Sequence, residues 1–124
     1  VTLSTWMTRA ELAAIEACAS PLQRVLADSI RIWTPVQRRK LRAAGCDVDD
    51  DNVAILHDPL ALACVYDPSF CVFEELAIET RIEAGILTTL ESVDASAEAF
   101  PMHVAVGVDA DRFRAHLLER ITAG

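Results

Sequence analysis

Basic side chains are scarce in this sequence. Its 124 residues hold 11 Lys and Arg against 19 Asp and Glu, a formal net charge of −8. A nucleic-acid partner would need the opposite, a concentrated basic face. The one basic cluster, Arg38, Arg39, Lys40 and Arg42, reads as the solvated side of a helix rather than a phosphate contact. Long hydrophobic runs are also missing. The apolar fraction of 52% is ample for a core, yet no unbroken apolar stretch approaches the roughly 18 residues that span a membrane. No basic, apolar leader opens the chain, which leads us to expect a cytoplasmic protein. Val1 in place of Met predicts a chain processed or cut from something longer. Cysteine is sparse, at positions 18, 46, 64 and 71, with no CxxC pair. Such cysteines are most simply reduced, buried thiols. The even spacing of His57, Cys64 and Cys71 raises a zinc reading, but structural zinc ligands usually come in close pairs. Internal repeats, low-complexity segments and clear linkers are lacking too. The length predicts one domain, 1–124, or part of a larger one.

What is present reads as a mixed α/β chain, with helices packed on a small sheet. Thr8-Arg-Ala-Glu11 is a capping box, with Met7 and Leu12 placed as its hydrophobic staple. It predicts a first helix to about Ala19, with Leu12 and Ile15 inward. Ser20-Pro21-Leu-Gln23 repeats the signal, with Gln23 as the reciprocal partner. The second helix carries Leu22, Val25, Leu26, Ser29, Ile32, Trp33 and Val36 at three-and-four spacing. That stripe predicts a core-facing side, with Trp33 in the core. Pro35 should kink or break the helix, and Gly45 can end it.

Asp47-Val-Asp49-Asp50-Asp51-Asn52 is the densest charge run. Its spacing is not that of an EF-hand and the central glycine is absent, so we read an exposed loop. Further on, Leu76, Ile78, Thr80 and Ile82 alternate with Glu75, Ala77, Glu79 and Arg81, which predicts a strand with one wet face. Gly85 marks a turn, and 86–90 can return as the second arm of a hairpin. Residues 92–101 read as loop, and Met102 to Val108 as another strand. Asp109 is placed to cap a last helix with Phe113, Leu117 and Ile121 inward. His103 and His116 read as surface residues.

Between these elements lies Ile55-Leu56-His57-Asp58-Pro59-Leu60-Ala61-Leu62-Ala63. A short apolar run leads into a His-Asp pair and a helix start, with Asp58 as N-cap and Pro59 at the first helical position. Taken alone, His-Asp-Pro before an apolar helix is more often a plain helix cap than a site of chemistry. The longer stretch, continued by Asp67-Pro68-Ser69-Phe70 and a strand-like run, resembles the C-terminal part of the inosine-uridine-preferring nucleoside hydrolases. The resemblance extends over nearly the whole chain, though the motif at His57 is its one specific element.

The resemblance implies a glycosidase of nucleoside metabolism. Such an enzyme hydrolyses the N-glycosidic bond of purine and pyrimidine ribonucleosides and uses one bound calcium. The ion holds the ribose diol and the attacking water, a task suited to a cation that accepts many oxygens. Asp58 then maps to a calcium ligand. His57 maps to the group that protonates the departing base, and an imidazole ordinarily titrates near neutrality. The family's aspartate cluster, Asp-x-Asp-x-x-x-Asp-Asp, has no counterpart here, and neither do its Asn- and Glu-bearing sugar contacts. We therefore expect this chain alone to bind neither calcium nor nucleoside well. Two expectations follow: a C-terminal portion of an enzyme, or a non-catalytic oligomerising or interaction domain that keeps the fold. Apolar surface left uncovered by a missing portion predicts a homo-oligomer.

Overall fold

Thr8 opens the first helix as its capping box predicts. In the computed structural model, which describes residues 1–92 and 99–123, the Thr8 hydroxyl accepts the Glu11 amide, and Glu11 reaches back to the Thr8 amide at 2.6 Å. The staple residues Met7 and Leu12 are both buried beside it. The elements run β1 (Trp6–Thr8), α1 (Arg9–Glu16), α2 (Pro21–Ala43), β2 (Asn52–Ile55), α3 (His57–Tyr66), β3 (Cys71–Glu83), β4 (Ile86–Glu91), β5 (Phe100–Val108) and α4 (Ala110–Thr122). This is the mixed α/β composition expected. They group into two compact units, Val1–Phe70 with Asp109–Gly124, and Cys71–Val108.

In the first unit, β1 and β2 pair antiparallel, Trp6 opposite Ile55 and Met7 opposite Ala54. The four helices belong to this unit, and its core gathers Trp6, Met7, Ile15, Leu56, Phe70 and Phe113. Phe70 and Phe113 meet edge to face at 5.7 Å, a preferred aromatic geometry.

Helix α2 departs from the sequence reading in three ways. Pro35 neither breaks nor ends it; the helix continues to Ala43. Proline deprives the carbonyl one turn back of its donor. Just before it, Thr34 Oγ1 lies 2.7 Å from the carbonyls of both Ile30 and Val53, fastening that turn to β2. Gln23 is not the partner of Ser20, which accepts the Leu22 amide instead. Gln23 is buried, and its amide donates to the Ile121 carbonyl at 2.8 Å. Last, Leu22, Val25, Ile32 and Trp33 are exposed, while Gln23 and Ala27 face the core. The helix ends as read: Gly45 takes φ 81, Gly45 N donates to the Arg42 carbonyl and Cys46 N to that of Leu41. These two bonds form a Schellman cap, which needs a left-handed residue at that position.

The loop before β2 is exposed, as expected of its aspartates, and it is bound down. Arg42 donates to Asp50 Oδ1 at 2.8 Å and to the Val48 carbonyl at 3.0 Å. Arg38 donates to the Asn52 carbonyl at 2.8 Å and also to the Asp50 carbonyl. The Arg42 guanidinium, first by hydrogen bond and then by charge, holds the Asp50 carboxyl below its ordinary range. Two members of the basic cluster are therefore structural braces. Arg39 is exposed, and Lys40 sits 5.4 Å from the Trp33 ring centre.

In the second unit, β3 is the central strand of an antiparallel sheet ordered β4-β3-β5. Ile78 is buried on β3. The face predicted to be wet is not wholly so: Glu79 is buried as well, and Arg81 pairs with it at 2.5 Å. Ala84 and Gly85 join β3 to β4 with φ 51 and 80. Both values fit the two-residue turn whose twist matches a hairpin. Phe100 and Pro101 already belong to β5, whereas the rest of the loop expected there falls largely on 93–98, outside the described residues.

Candidate functional site

The site residues ride on the junction of β2 and α3. Strand β2 ends at Ile55, and Leu56 alone separates it from the helix. Leu56 is buried; its amide donates to the Thr5 carbonyl at 2.8 Å, and its own carbonyl accepts the Leu60 amide at 2.9 Å. That second bond starts the helix two residues earlier than the sequence implied. Leu56, not Asp58, is the N-cap, and no side chain caps this end. His57, Asp58 and Pro59 fill the first turn, where proline's missing donor costs nothing. An acidic side chain there is favoured by the helix dipole.

Both candidate side chains face open surface. His57 is 49% exposed and Asp58 90%, with His57 Nε2 lying 3.4 Å from Asp58 Oδ1. An imidazole and a carboxylate held at this distance, on a corner fixed by a buried leucine, can act on one small substrate from two sides.

Beside Asp58, α3 and α4 enclose a cleft of about 400 Å³, walled by Pro59, Leu62, Phe113 and Leu117. Its polar groups are Asp58, Tyr66, His116 and Arg120. The cleft falls within the size range of small-molecule pockets, on the order of 300–1,000 Å³. Tyr66 Oη and His116 Nε2 are 3.3 Å apart, and the His116 ring lies 5.2 Å from that of Phe70. His116 is thus half-buried and engaged rather than a plain surface residue; His103 is exposed, as read. A second cavity, about 390 Å³, lies between α1 and α2 and is lined by neither His57 nor Asp58. Its charges are already committed, Arg31 to Glu16 at 2.7 Å and Arg9 to the Asp50 carbonyl at 2.9 Å.

Sequence reasoning missed the clamp that holds α3 to α4. Asp67 accepts from Ser69 N at 3.1 Å and from Arg112 at 2.9 Å, while Arg112 also donates to the Ser69 carbonyl at 3.0 Å. The Arg112 guanidinium lies 4.5 Å from the Phe70 ring centre. The Ser69 hydroxyl, and after it the Ser69 amide and Arg112, hold the Asp67 carboxyl below its ordinary range. The local half of this clamp was readable, since Asp-x-Ser favours such a turn. Arg112 stands far along the chain and carries no local signal.

Set among known structures, the whole chain overlays on a plant nucleoside hydrolase, the PpNRh1 enzyme, with a TM-score of 0.76 and 22% identity. It overlays equally on the purine-preferring ribonucleoside hydrolase from Gardnerella vaginalis, with a TM-score of 0.77, 25% identity and 98% of this chain covered. These elements build part of a nucleoside hydrolase fold. The overlay takes in 39% of the plant chain and 37% of the bacterial one, so this chain spans about two-fifths of the length of those hydrolases. No protein-family model and no curated protein matches the sequence.

The described residues do not by themselves form a calcium site. Among the described residues no three His, Cys, Asp or Glu side chains converge as a metal site. Asp58 offers one largely exposed carboxylate, whereas the ion takes six to eight oxygens. No helix of the described residues is long and apolar enough to cross a membrane.

Proposed function

We propose that this chain is the C-terminal portion of a ribonucleoside hydrolase. Completed by the rest of the fold, it cleaves the N-glycosidic bond of purine or pyrimidine ribonucleosides, as inosine-uridine-preferring enzymes do. The observation that carries this reading is the exposed His57–Asp58 pair on a loop-free strand-to-helix junction, in a chain that overlays on two nucleoside hydrolases. His57 delivers a proton to the departing base, so that the base leaves neutral rather than as an anion. Asp58 would supply one carboxylate to a calcium ion held chiefly by the rest of the fold, where the ion would bind the ribose diol and the attacking water. The complete protein would work in the cytoplasm.

The test is a chimera in which this chain replaces the matching 37% of the Gardnerella vaginalis enzyme, assayed for release of base from inosine and uridine. His57→Ala should lower kcat for inosine by about 10²–10⁴-fold, the usual worth of one positioned acid. It should leave a riboside whose leaving group departs without a proton nearly unaffected. Equal loss on both substrates would refute the assigned role. A second reading, a non-catalytic oligomerising or interaction domain, is favoured by the solitary position of Asp58 among the described residues. It prevails if the folded chimera, with its calcium site intact, releases no base. Tight calcium binding by this chain alone, measured by calorimetry, would overturn the assignment as an incomplete site.

A further inference from the structure

Helix α2 has an inner face covered by this chain and an apolar outer face that is not. The inner face, Gln23, Ala27, Ile30, Thr34 and Gln37, follows three-and-four spacing and is buried or half-buried. Its side chains are engaged: Gln23 on the Ile121 carbonyl, Thr34 near the Val53 carbonyl, and Gln37 Oε1 accepting the Ile55 amide at 3.1 Å. The outer face repeats that spacing with Leu22, Val25, Ser29, Ile32 and Trp33. There Leu22 and Ile32 are each 75% exposed, Val25 64% and Trp33 49%. Even its one hydroxyl is withdrawn, since Ser29 donates to the Val25 carbonyl of its own helix at 2.7 Å. A helix with one side in water normally turns charged and polar residues outward, whereas one apolar all round is buried. A contiguous stripe of this kind marks a surface made to be covered.

We infer that the outer face of α2 is the docking surface for the polypeptide that carries the remainder of the nucleoside hydrolase fold. This rests on the proposed function. The length of chain outside the structure names the occupant: the two matched hydrolases extend beyond this chain by 61% and 63% of their own lengths, taking their covered 39% and 37% from the whole. A body that large must lie against part of the surface exposed here. The Leu22-to-Trp33 stripe gives it an unbroken apolar seat.

The probe is the part of the Gardnerella vaginalis hydrolase that this chain does not cover, produced as a separate polypeptide and titrated with the whole chain by calorimetry. The parent chain should bind it. Val25→Glu/Ile32→Glu should weaken binding at least 100-fold, because it places two charges in a desolvated seat. Val65→Glu, on the exposed side of α3, should stay within about threefold. The substituted side chains are exposed, so circular dichroism of each variant alone should be unchanged. Equal binding by the double variant overturns the inference, and so does failure of the parent to bind. A dimer of this chain that the double variant dissolves also overturns it, and assigns the face to a second copy. Nucleoside hydrolysis by the mixture reports separately on the proposed function. Binding that the double variant abolishes, without hydrolysis, keeps the docking face and sinks the enzymatic reading. Hydrolysis that survives the double variant does the reverse.

Discussion

Replacing Phe113 by alanine tests how the cleft between α3 and α4 is held. Phe113 is fully buried and meets the Phe70 ring at 5.7 Å and 72°. The Phe70 ring in turn contacts the Arg112 guanidinium at 4.5 Å and the His116 ring at 5.2 Å. Truncation of a fully buried phenylalanine costs about 3–5 kcal/mol, as lost transfer energy plus the cavity left behind. That range already includes the edge-to-face pair, itself worth ~0.5–1.5 kcal/mol. Urea unfolding is suited to the measurement, since a small protein loses roughly 1–3 kcal/mol of stability per molar urea. A 4 kcal/mol loss at a slope of about 2 lowers the midpoint by about 2 M. Trp6, buried in the same unit, serves as reporter in a Trp33→Phe background, which removes the exposed second indole. Phe113→Leu, which keeps most of the volume, should lose less than about 1.5 kcal/mol. A Phe113→Ala midpoint within 0.5 M of the parent, by this slope about 1 kcal/mol, would refute the claim that this ring anchors α4.

Ala84 occupies a left-handed position, φ 51, beside Gly85. Ala84→Asn should therefore stabilise the hairpin by about 0.5–1 kcal/mol, seen as slower amide exchange across β3 and β4; faster exchange refutes the turn assignment. Asp67 titrates below its reference value of 3.8, chiefly through the Ser69 hydroxyl. A depressed carboxylate adds stability that is present above its unfolded pKa and is lost as pH falls through the folded one. Ser69→Ala should accordingly raise the Asp67 midpoint toward 3.8, read from its carboxyl carbon by NMR, and cost stability at neutral pH but not in strong acid. An unmoved midpoint assigns the depression to Arg112 instead.

Legibility followed the range of the forces involved. The Thr8 box, the Ser20 cap, the Gly45 terminus and the Asp109 cap are each decided within a few residues, and each was readable from the sequence. The strands were visible in alternation over 75–82 and 102–108, short of their full lengths, since alternation needs only one covered face. What failed required a partner elsewhere in the chain. Gln23 has the spacing of a reciprocal cap but goes to Ile121, because a buried amide follows the free carbonyl and not the local motif. The α2 stripe has the period of a core face, and periodicity cannot say which body supplies the core. Trp33 was misplaced for that reason. At the candidate site, the strand-to-helix junction was readable. The cap shifted by two residues because Leu56, hydrogen-bonded to Thr5, delivers its carbonyl to the helix before Asp58 is reached.

The side chains of Thr34, Gln37 and Arg38 all reach the backbone of β2, at Val53, Ile55 and Asn52. A helix thereby occupies the margin where a third strand would otherwise join the β1–β2 ribbon, and the usual hazard of an open sheet edge is removed. Growth of the ribbon by strand addition is closed on that side. Any protein joining the chain there must do so through side chains, and the backbone leading into His57 stays fixed while it does.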